Sequence, residues 1–233
     1  MAYRRPVPRE TQKQKRARAL EVLDALAASM PDARIELDYR TPLELLVAVI
    51  LSAQCTDKRV NLVTPALFAR FADAAAYAEA TEADVGTLIR SLGLYQSKAK
   101  NLVALGRALL ESHGGEVPTE REVLETLPGV GHKTAGVVSL HLGGTQAFPV
   151  DTHVQRLSVR LGFTRQTQPD KVEDELQALF PEERWGAGHQ LLVWHGRRTC
   201  FARSPECERC VVLALCPRIG VTPGGKRAPR ART

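Results

Sequence analysis

The stretch LPGVGHKTA, Leu127–Ala135, decides the fold of this 233-residue chain. Two glycines form a tight turn, and a lysine follows near the start of what is predicted to be the next helix. Leu124 before the turn and Val137 after it belong to apolar positions that continue at helical spacing on both sides. The pattern predicts a helix-hairpin-helix, whose backbone N–H groups can bind phosphate without reading the base sequence.

A P-loop is the competing phosphate-binding interpretation, and we reject it. It requires the spacing G-x-x-x-x-G-K-[ST] after a strand, whereas His132 separates Gly131 from Lys133 and a helix is predicted before the turn. An ordinary tight corner between two helices is the other alternative. The motif alone leaves that alternative about as probable as DNA binding.

Lys133 favours a chemical function. The N-terminal end of a helix carries the positive end of its dipole, which disfavours a charged amine at this position. A neutral lysine is a nucleophile toward an electron-poor carbon. The alternative is a solvated lysine that contacts phosphate, but only 8 of the 32 basic residues are lysines, so arginine is this chain's usual cation.

The rest of the chain also has the pattern of an all-α protein. TPLELLVAVILSAQ, residues 41–54, opens with Thr41 as N-cap and Pro42 at the first helical position, and its helix is apolar almost all round. A similar cap is predicted in TEREVLETLPG, where Thr119 and Glu122 have capping-box spacing. In VDTH, Asp151 is expected to cap a helix, which would hold an ionised carboxylate in a fixed position.

Four of the five cysteines lie near the C-terminus, with the spacing C-x6-C-x2-C-x5-C at Cys200, Cys207, Cys210 and Cys216. The clustering points to a metal or cluster site rather than to a disulfide framework. Four thiolates suit either tetrahedral zinc or an iron–sulfur cluster, and the spacing does not decide between the two. Cys55 stands apart in an apolar segment and is expected to be a buried small hydrophobe.

Positive charge is concentrated at the two ends of the chain. Residues 1–20 and 217–233 carry formal charges of +6 and +5 out of a total of +6, so residues 21–216 carry −5. A nucleic-acid partner would therefore have to meet a local basic face and helix N-termini rather than an even positive coat. No stretch is long and apolar enough for a membrane span, and we expect a cytoplasmic protein, associated with the nucleoid if it is bacterial.

Taken together, the passages LSAQCTD (51–57), LPGVGHKTA (127–135), VDTH (150–153) and HGRRTC with the cysteine run (195–216) resemble the endonuclease III family of DNA glycosylases. The resemblance implies an all-α, two-lobed helix-hairpin-helix glycosylase fold. Its six-helix barrel would span residues 35–145, with the hairpin at about 120–142. An iron–sulfur lobe would combine residues 1–34 and 146–217, and residues 218–233 would form a disordered basic tail.

The resemblance also implies a bifunctional activity, in which oxidised pyrimidines are removed from duplex DNA and the strand is cut by β-elimination through a lysine Schiff base. Lys133 and Asp151 match the catalytic pair, and the four C-terminal cysteines match the ligands of a [4Fe–4S] cluster. DNA contacts are expected from Gln54, Leu94, Gly129, Val130, Gly131, His132, Thr134 and His153. Gln54 and Leu94 match residues that fill the gap left by a flipped nucleotide. The expected partner is double-stranded DNA with oxidised pyrimidines or abasic sites, bound by a monomer that contacts no membrane.

The sequence allows three rival functions. A monofunctional adenine glycosylase of the same superfamily lacks the lysine, and a pyrimidine-dimer glycosylase is a more remote enzymatic option. A non-catalytic DNA-binding module with a structural zinc site would leave both Lys133 and Asp151 without a role.

Overall fold

The computed structural model describes residues 10–221, and this part of the chain contains helices and no strands, as the sequence predicts. The α-helices are α1 Gln12–Ser29, α2 Pro42–Ser52, α3 Asp57–Arg70, α4 Ala74–Glu79, α5 Glu82–Ile89, α6 Tyr95–His113, α7 Arg121–Leu124, α8 His132–His141, α9 Thr152–Arg160, α10 Pro169–Leu179 and α11 Trp185–Arg198. Short 3-10 turns occur at Glu182–Arg184, Cys207–Arg209 and Leu213–Leu215. No helix within residues 10–221 has both the length and the hydropathy needed to cross a membrane.

The chain divides into two compact units, with boundaries after Arg34 and after Ala147. One unit, Ile35–Ala147, contains α2 to α8, and the other combines the N-terminal segment through Arg34 with the segment from Phe148 onward. Each unit has its own hydrophobic core. Most of the predicted basic tail, residues 222–233, lies outside the described residues.

Helix α2 is the centre of the Ile35–Ala147 unit. Every residue from Leu45 to Leu51 is buried, which explains why the helix is apolar on all sides. Thr41 caps it by accepting a hydrogen bond from the Glu44 N–H at 3.2 Å, as predicted. The Glu44 carboxylate accepts from the N–H of Arg40, one residue before the cap.

The predicted capping box at Thr119 is wrong. Helix α7 begins only at Arg121, its N-cap is Glu120, and no side chain caps it. The Thr119 carbonyl instead accepts a hydrogen bond from the Ser139 hydroxyl of α8 at 2.6 Å. The Thr119 backbone thus contacts α8, and the first helix of the hairpin begins two residues later and is only four residues long.

The second unit is built around α1 and α9 to α11. Buried leucines of α1, among them Leu23 and Leu26, share its core with an aromatic group. Phe148 stacks on Phe180 with ring centroids 5.7 Å apart, and Phe163 meets Phe180 edge-on at 5.5 Å. This packing anchors the segment that leads into Asp151.

Candidate active site and cysteine cluster

The glycine turn of the hairpin is fixed by its neighbours. Gly129 has a φ of 79°, in the left-handed region that glycine adopts without strain. A Cβ atom there would lie 2.9 Å from the Cβ of Asn101 on α6, so the position requires glycine for space as well. Val130 is 7% exposed and packs in the core, which leaves only its backbone for contact with DNA.

The turn opens directly into α8. Gly131 is the exposed N-cap, and no side chain makes a capping hydrogen bond at this helix end. Lys133 is the second residue of α8 and is exposed, and Thr134 next to it is half-buried. The hairpin thus presents an amine at an uncapped helix N-terminus, where an anion is stabilised.

His132 is held by two charged neighbours. Its Nδ1 lies 2.6 Å from a carboxylate oxygen of Glu125, and its Nε2 lies 2.6 Å from the guanidinium of Arg121. Arg121 can only donate, so Nε2 accepts and Nδ1–H donates to Glu125. Both ring nitrogens are engaged within the hairpin, and the backbone N–H of His132 is the group better disposed toward a phosphate.

Asp151 is the N-cap of α9, as the sequence predicts. Its Oδ1 accepts hydrogen bonds from the N–H groups of His153 and Val154, both at 2.8 Å. The preceding segment is fixed too, because the Pro149 carbonyl lies 2.7 Å from Nδ1 of the buried His189. The carboxylate therefore has a defined position before any substrate arrives.

Burial lowers the pKa of His153, and the positive charges of Arg156 and Arg197 lower it further, against the opposing effect of Asp151. The imidazole is therefore neutral at pH 7 and accepts a hydrogen bond at Nδ1 from Arg156 at 3.1 Å. The predicted DNA contact by His153 would be that of a neutral ring, without the attraction of a cation for phosphate.

Gln54 and Leu94 share an unusual backbone conformation. Their φ angles are 57° and 58°, and within residues 10–221 only Arg218 is another non-glycine residue with positive φ. Both are exposed, and the Leu94 side chain is 59% accessible. Strain of this kind in non-glycine residues persists where the surrounding structure enforces it, and it concentrates at functional sites.

The four C-terminal cysteines line one common pocket, together with His195, and none of them forms a disulfide. Burial raises the pKa of Cys210 and raises that of Cys216 to about 11. Burial also lowers the pKa of His195 to about 4, so its ring is neutral; its Nε2 lies 3.4 Å from the Cys210 sulfur. Thiols in such surroundings ionise only when a metal binds them.

The donor set suits an iron–sulfur cluster. The four cysteines line one shared pocket, and four thiolates are the usual donor set of a [4Fe–4S] cluster. The residues present therefore fit an iron–sulfur cluster.

Sequence analysis missed two arginines that organise this region. Arg156 donates to the carbonyls of Gly196 and Cys200, at 3.0 and 3.1 Å. Arg160 donates to the Cys200 sulfur at 3.2 Å and to the carbonyl of Phe201 at 2.7 Å. Their i, i+4 spacing, which puts both on one face of α9, is the sequence signal that could have identified them.

Comparison with known proteins identifies the family. Residues 47–182 match the HhH-GPD superfamily of base excision DNA repair proteins, and residues 200–216 match the iron–sulfur binding domain of endonuclease III. Endonuclease III of Synechocystis sp. is 48% identical over 204 residues, covering 87% of this chain and 93% of that protein. Endonuclease III of Escherichia coli K12 is 43% identical over 201 residues, covering 86% and 95%. The chain belongs to the endonuclease III family.

Solved structures agree with this assignment. A trapped endonuclease III–DNA covalent intermediate is similar with a TM-score of 0.83 and 44% identity, covering 86% of this chain and 95% of that one. A thermostable thymine-DNA glycosylase, with a TM-score of 0.77 and 22% identity, shares the fold. The predicted all-α helix-hairpin-helix glycosylase fold is confirmed.

As a member of the endonuclease III family, the protein is a base excision repair enzyme that binds DNA and combines DNA glycosylase with AP lyase activity. Its cofactor is a [4Fe–4S] cluster. The cysteine spacing alone allowed either zinc or an iron–sulfur cluster. The cluster is the cofactor, and the zinc alternative is wrong. The enzymatic activity of the family also excludes a non-catalytic DNA-binding module.

Proposed function

We propose that this enzyme removes oxidised pyrimidines from duplex DNA and cuts the resulting abasic site, with Lys133 as nucleophile and Asp151 as its carboxylate partner. The observation that carries the proposal is the exposed amine of Lys133 at the uncapped N-terminus of α8, directly after the glycine turn. The same element can thus bind the DNA backbone and deliver the reacting group.

The hairpin binds the phosphates of the DNA backbone without reading the base sequence. Gly129 and Gly131 have no side chains and Val130 is buried, and the first N–H groups of α8 have no side-chain cap. These N–H groups and the positive end of the helix dipole attract a phosphate oxygen. The base is then flipped out of the stack, at an energetic cost that is smaller for a damaged pair.

Lys133 performs the covalent chemistry. Its neutral amine attacks C1′ of the deoxyribose, the C1′–N bond to the base breaks, and opening of the sugar gives a Schiff base. Loss of a C2′ proton then expels the 3′ phosphate and cuts the strand. Because Lys133 is exposed in the protein alone, the water-excluding surroundings of this step are supplied by bound DNA.

Asp151 stabilises the positive charge that develops at C1′ as the base leaves, and it accepts the proton that the lysine loses. Its two backbone hydrogen bonds keep Oδ1 in a fixed position. A preorganised charge lowers the barrier because no reorganisation is needed during the reaction.

Gln54 and Leu94 fill the gap left by the flipped nucleotide. Their exposure and their left-handed backbone support this role, because both side chains project from loops that are held in a conformation an isolated chain would avoid. We further propose that the enzyme works as a monomer on duplex DNA, without a membrane partner, in the cytoplasm and on the nucleoid.

The [4Fe–4S] cluster would be held by Cys200, Cys207, Cys210 and Cys216, and when bound it joins the C-terminal loop to α9 and α11. We expect the purified protein to be yellow-brown with broad visible absorbance, and Cys207→Ser to lose both the colour and thermal stability. Cys55→Ser, outside the cluster, is the matched control and should keep the colour. A Cys207→Ser variant that keeps the colour of the wild type would refute the ligand assignment.

A lesion panel tests the substrate proposal. Duplexes containing thymine glycol, an abasic site or only normal bases are incubated with the protein, with and without borohydride. We expect strand cleavage and a borohydride-trapped covalent complex with the first two duplexes and neither with the third. Cleavage of the abasic duplex alone would restrict the enzyme to lyase activity and contradict the proposed substrate class.

A further inference from the structure

Lys98 on α6 is a buried lysine to which sequence analysis assigned no role. It is 4% exposed, and its Nζ donates to the carbonyls of Leu51 and Ala53, both at 2.9 Å, and lies 3.2 Å from the Cys55 sulfur. An ammonium group has three N–H donors, and all three find acceptors here. A charge can be buried only with such complete hydrogen bonding.

The three acceptors surround Gln54. Leu51 lies at the C-terminal end of α2, where carbonyls have no partner within the helix, and Ala53 is the C-cap. Ala53 and Cys55 are the residues immediately before and after Gln54, whose φ is 57°. The Lys98 ammonium therefore fixes the chain on both sides of the strained residue.

Lys98 is also tied to Leu94. Its backbone N–H donates to the Leu94 carbonyl at 3.0 Å, in the first turn of α6, where Leu94 is the N-cap with a φ of 58°. A second link joins the first turn of α3, which follows the Gln54 loop, to the segment before Leu94, because the Arg59 guanidinium donates to the Ser91 carbonyl at 3.1 Å. Lys98 thus connects the two strained residues of this unit, through its side chain to the chain around Gln54 and through its backbone N–H to Leu94.

We propose that Lys98 is a positioning residue that holds Gln54 and Leu94 together as one preassembled wedge, with the Cys55 thiol as its third acceptor. The proposal rests on the proposed function, in which these two residues fill the gap left by the flipped nucleotide. A wedge ordered before binding avoids the entropic cost of ordering two loops during nucleotide flipping. Cys55, expected to be only a small hydrophobe, gains a specific role.

If Lys98 has this role, its loss should affect two substrates differently. Excision of thymine glycol from a duplex requires the helix to be opened, whereas Schiff-base formation on a single-stranded abasic oligonucleotide does not. Lys98→Met keeps the length of the side chain and removes all three donors. We expect single-turnover excision from the duplex to fall by about 10- to 100-fold, as for a group displaced by roughly 1 Å, and trapping on the single strand to stay within about twofold.

Two further variants make the test specific. Lys100→Met, an exposed lysine on the same helix, is the matched control and should leave the ratio of the two rates unchanged. Because Lys98 acts through Gln54, Lys98→Met and Gln54→Ala should be non-additive in the double variant. Equal losses on both substrates, or additive losses on the duplex, would overturn the proposal.

A second pair of variants covers the case in which Lys98→Met does not fold. Cys55→Val removes the side-chain acceptor of the third Lys98 N–H, whereas Cys55→Ser keeps an acceptor at that position. We expect duplex excision to be several-fold slower in the valine variant and within about twofold of wild type in the serine variant. Equal rates in both would overturn the proposal. A wild-type protein that fails to form the trapped complex would instead contradict the proposed function.

Discussion

Lys133→Gln is expected to abolish both the borohydride-trapped complex and strand cleavage. An amide nitrogen is not a nucleophile toward C1′ and cannot form a Schiff base, so the substitution blocks the proposed covalent pathway. We expect single-turnover cleavage of a thymine-glycol duplex to fall roughly a thousandfold or more, as when a nucleophile is removed from other enzymes. Gel electrophoresis of borohydride-treated reactions measures the complex directly.

DNA binding by Lys133→Gln should remain, because in the proposed function the phosphate is bound by the backbone N–H groups of the hairpin. A gel-shift measurement on the same duplex should give a dissociation constant within a few-fold of wild type, since one phosphate-seeking cation at most is lost. Lys171→Gln, an exposed lysine on α10, serves as control and should trap DNA normally. Undiminished trapping by Lys133→Gln would rule out this residue as the nucleophile.

Asp151→Asn is expected to lower turnover by about 10²- to 10⁴-fold while leaving the fold and DNA binding intact. The asparagine oxygen can still accept hydrogen bonds from the His153 and Val154 N–H groups, and asparagine caps helices as well as aspartate does. The substitution therefore removes the negative charge and little else. Quenched single-turnover assays measure the rate of strand cleavage, and thermal unfolding shows whether the fold is retained.

The matched control for Asp151→Asn is Asp73→Asn. Asp73 caps α4 by accepting from the Ala76 N–H at 2.8 Å, so the same chemical change is made at a helix N-cap with no proposed role in the reaction. This variant should be as active as wild type. If Asp151→Asn behaved like it, Asp151 would be a helix cap and nothing more.

Much of the active region could be predicted from local sequence. The glycine turn, the cap at Thr41 and the cap at Asp151 each depend on residues within four positions of one another, and the structure confirms all three. The box at Thr119 has the same local signature, yet α7 begins two residues later, and the Thr119 backbone is bonded to Ser139 of α8, twenty residues away. A local signature is a weak indicator that tertiary contacts can override.

Distance in the sequence also explains what was missed. Lys98 lies 47 residues from the Leu51 carbonyl that it binds, and Arg160 lies 40 residues from Cys200. No sequence motif has a spacing that would predict either contact. The periodicity of α6 indicates only that Lys98 lies on the buried face of that helix.

The sequence by itself determined the all-α class, the hairpin with its lysine, the fixed carboxylate of Asp151 and the grouping of four cysteines, because these depend on helical periodicity, caps and short spacings. Only the tertiary structure decided how the buried donors are satisfied. The ammonium of Lys98 donates to the chain on both sides of Gln54, and the guanidinium of Arg156 donates to the carbonyls of Gly196 and Cys200. Hydrogen bonds between remote segments exist only once packing has brought those segments together and excluded the water that would otherwise satisfy them.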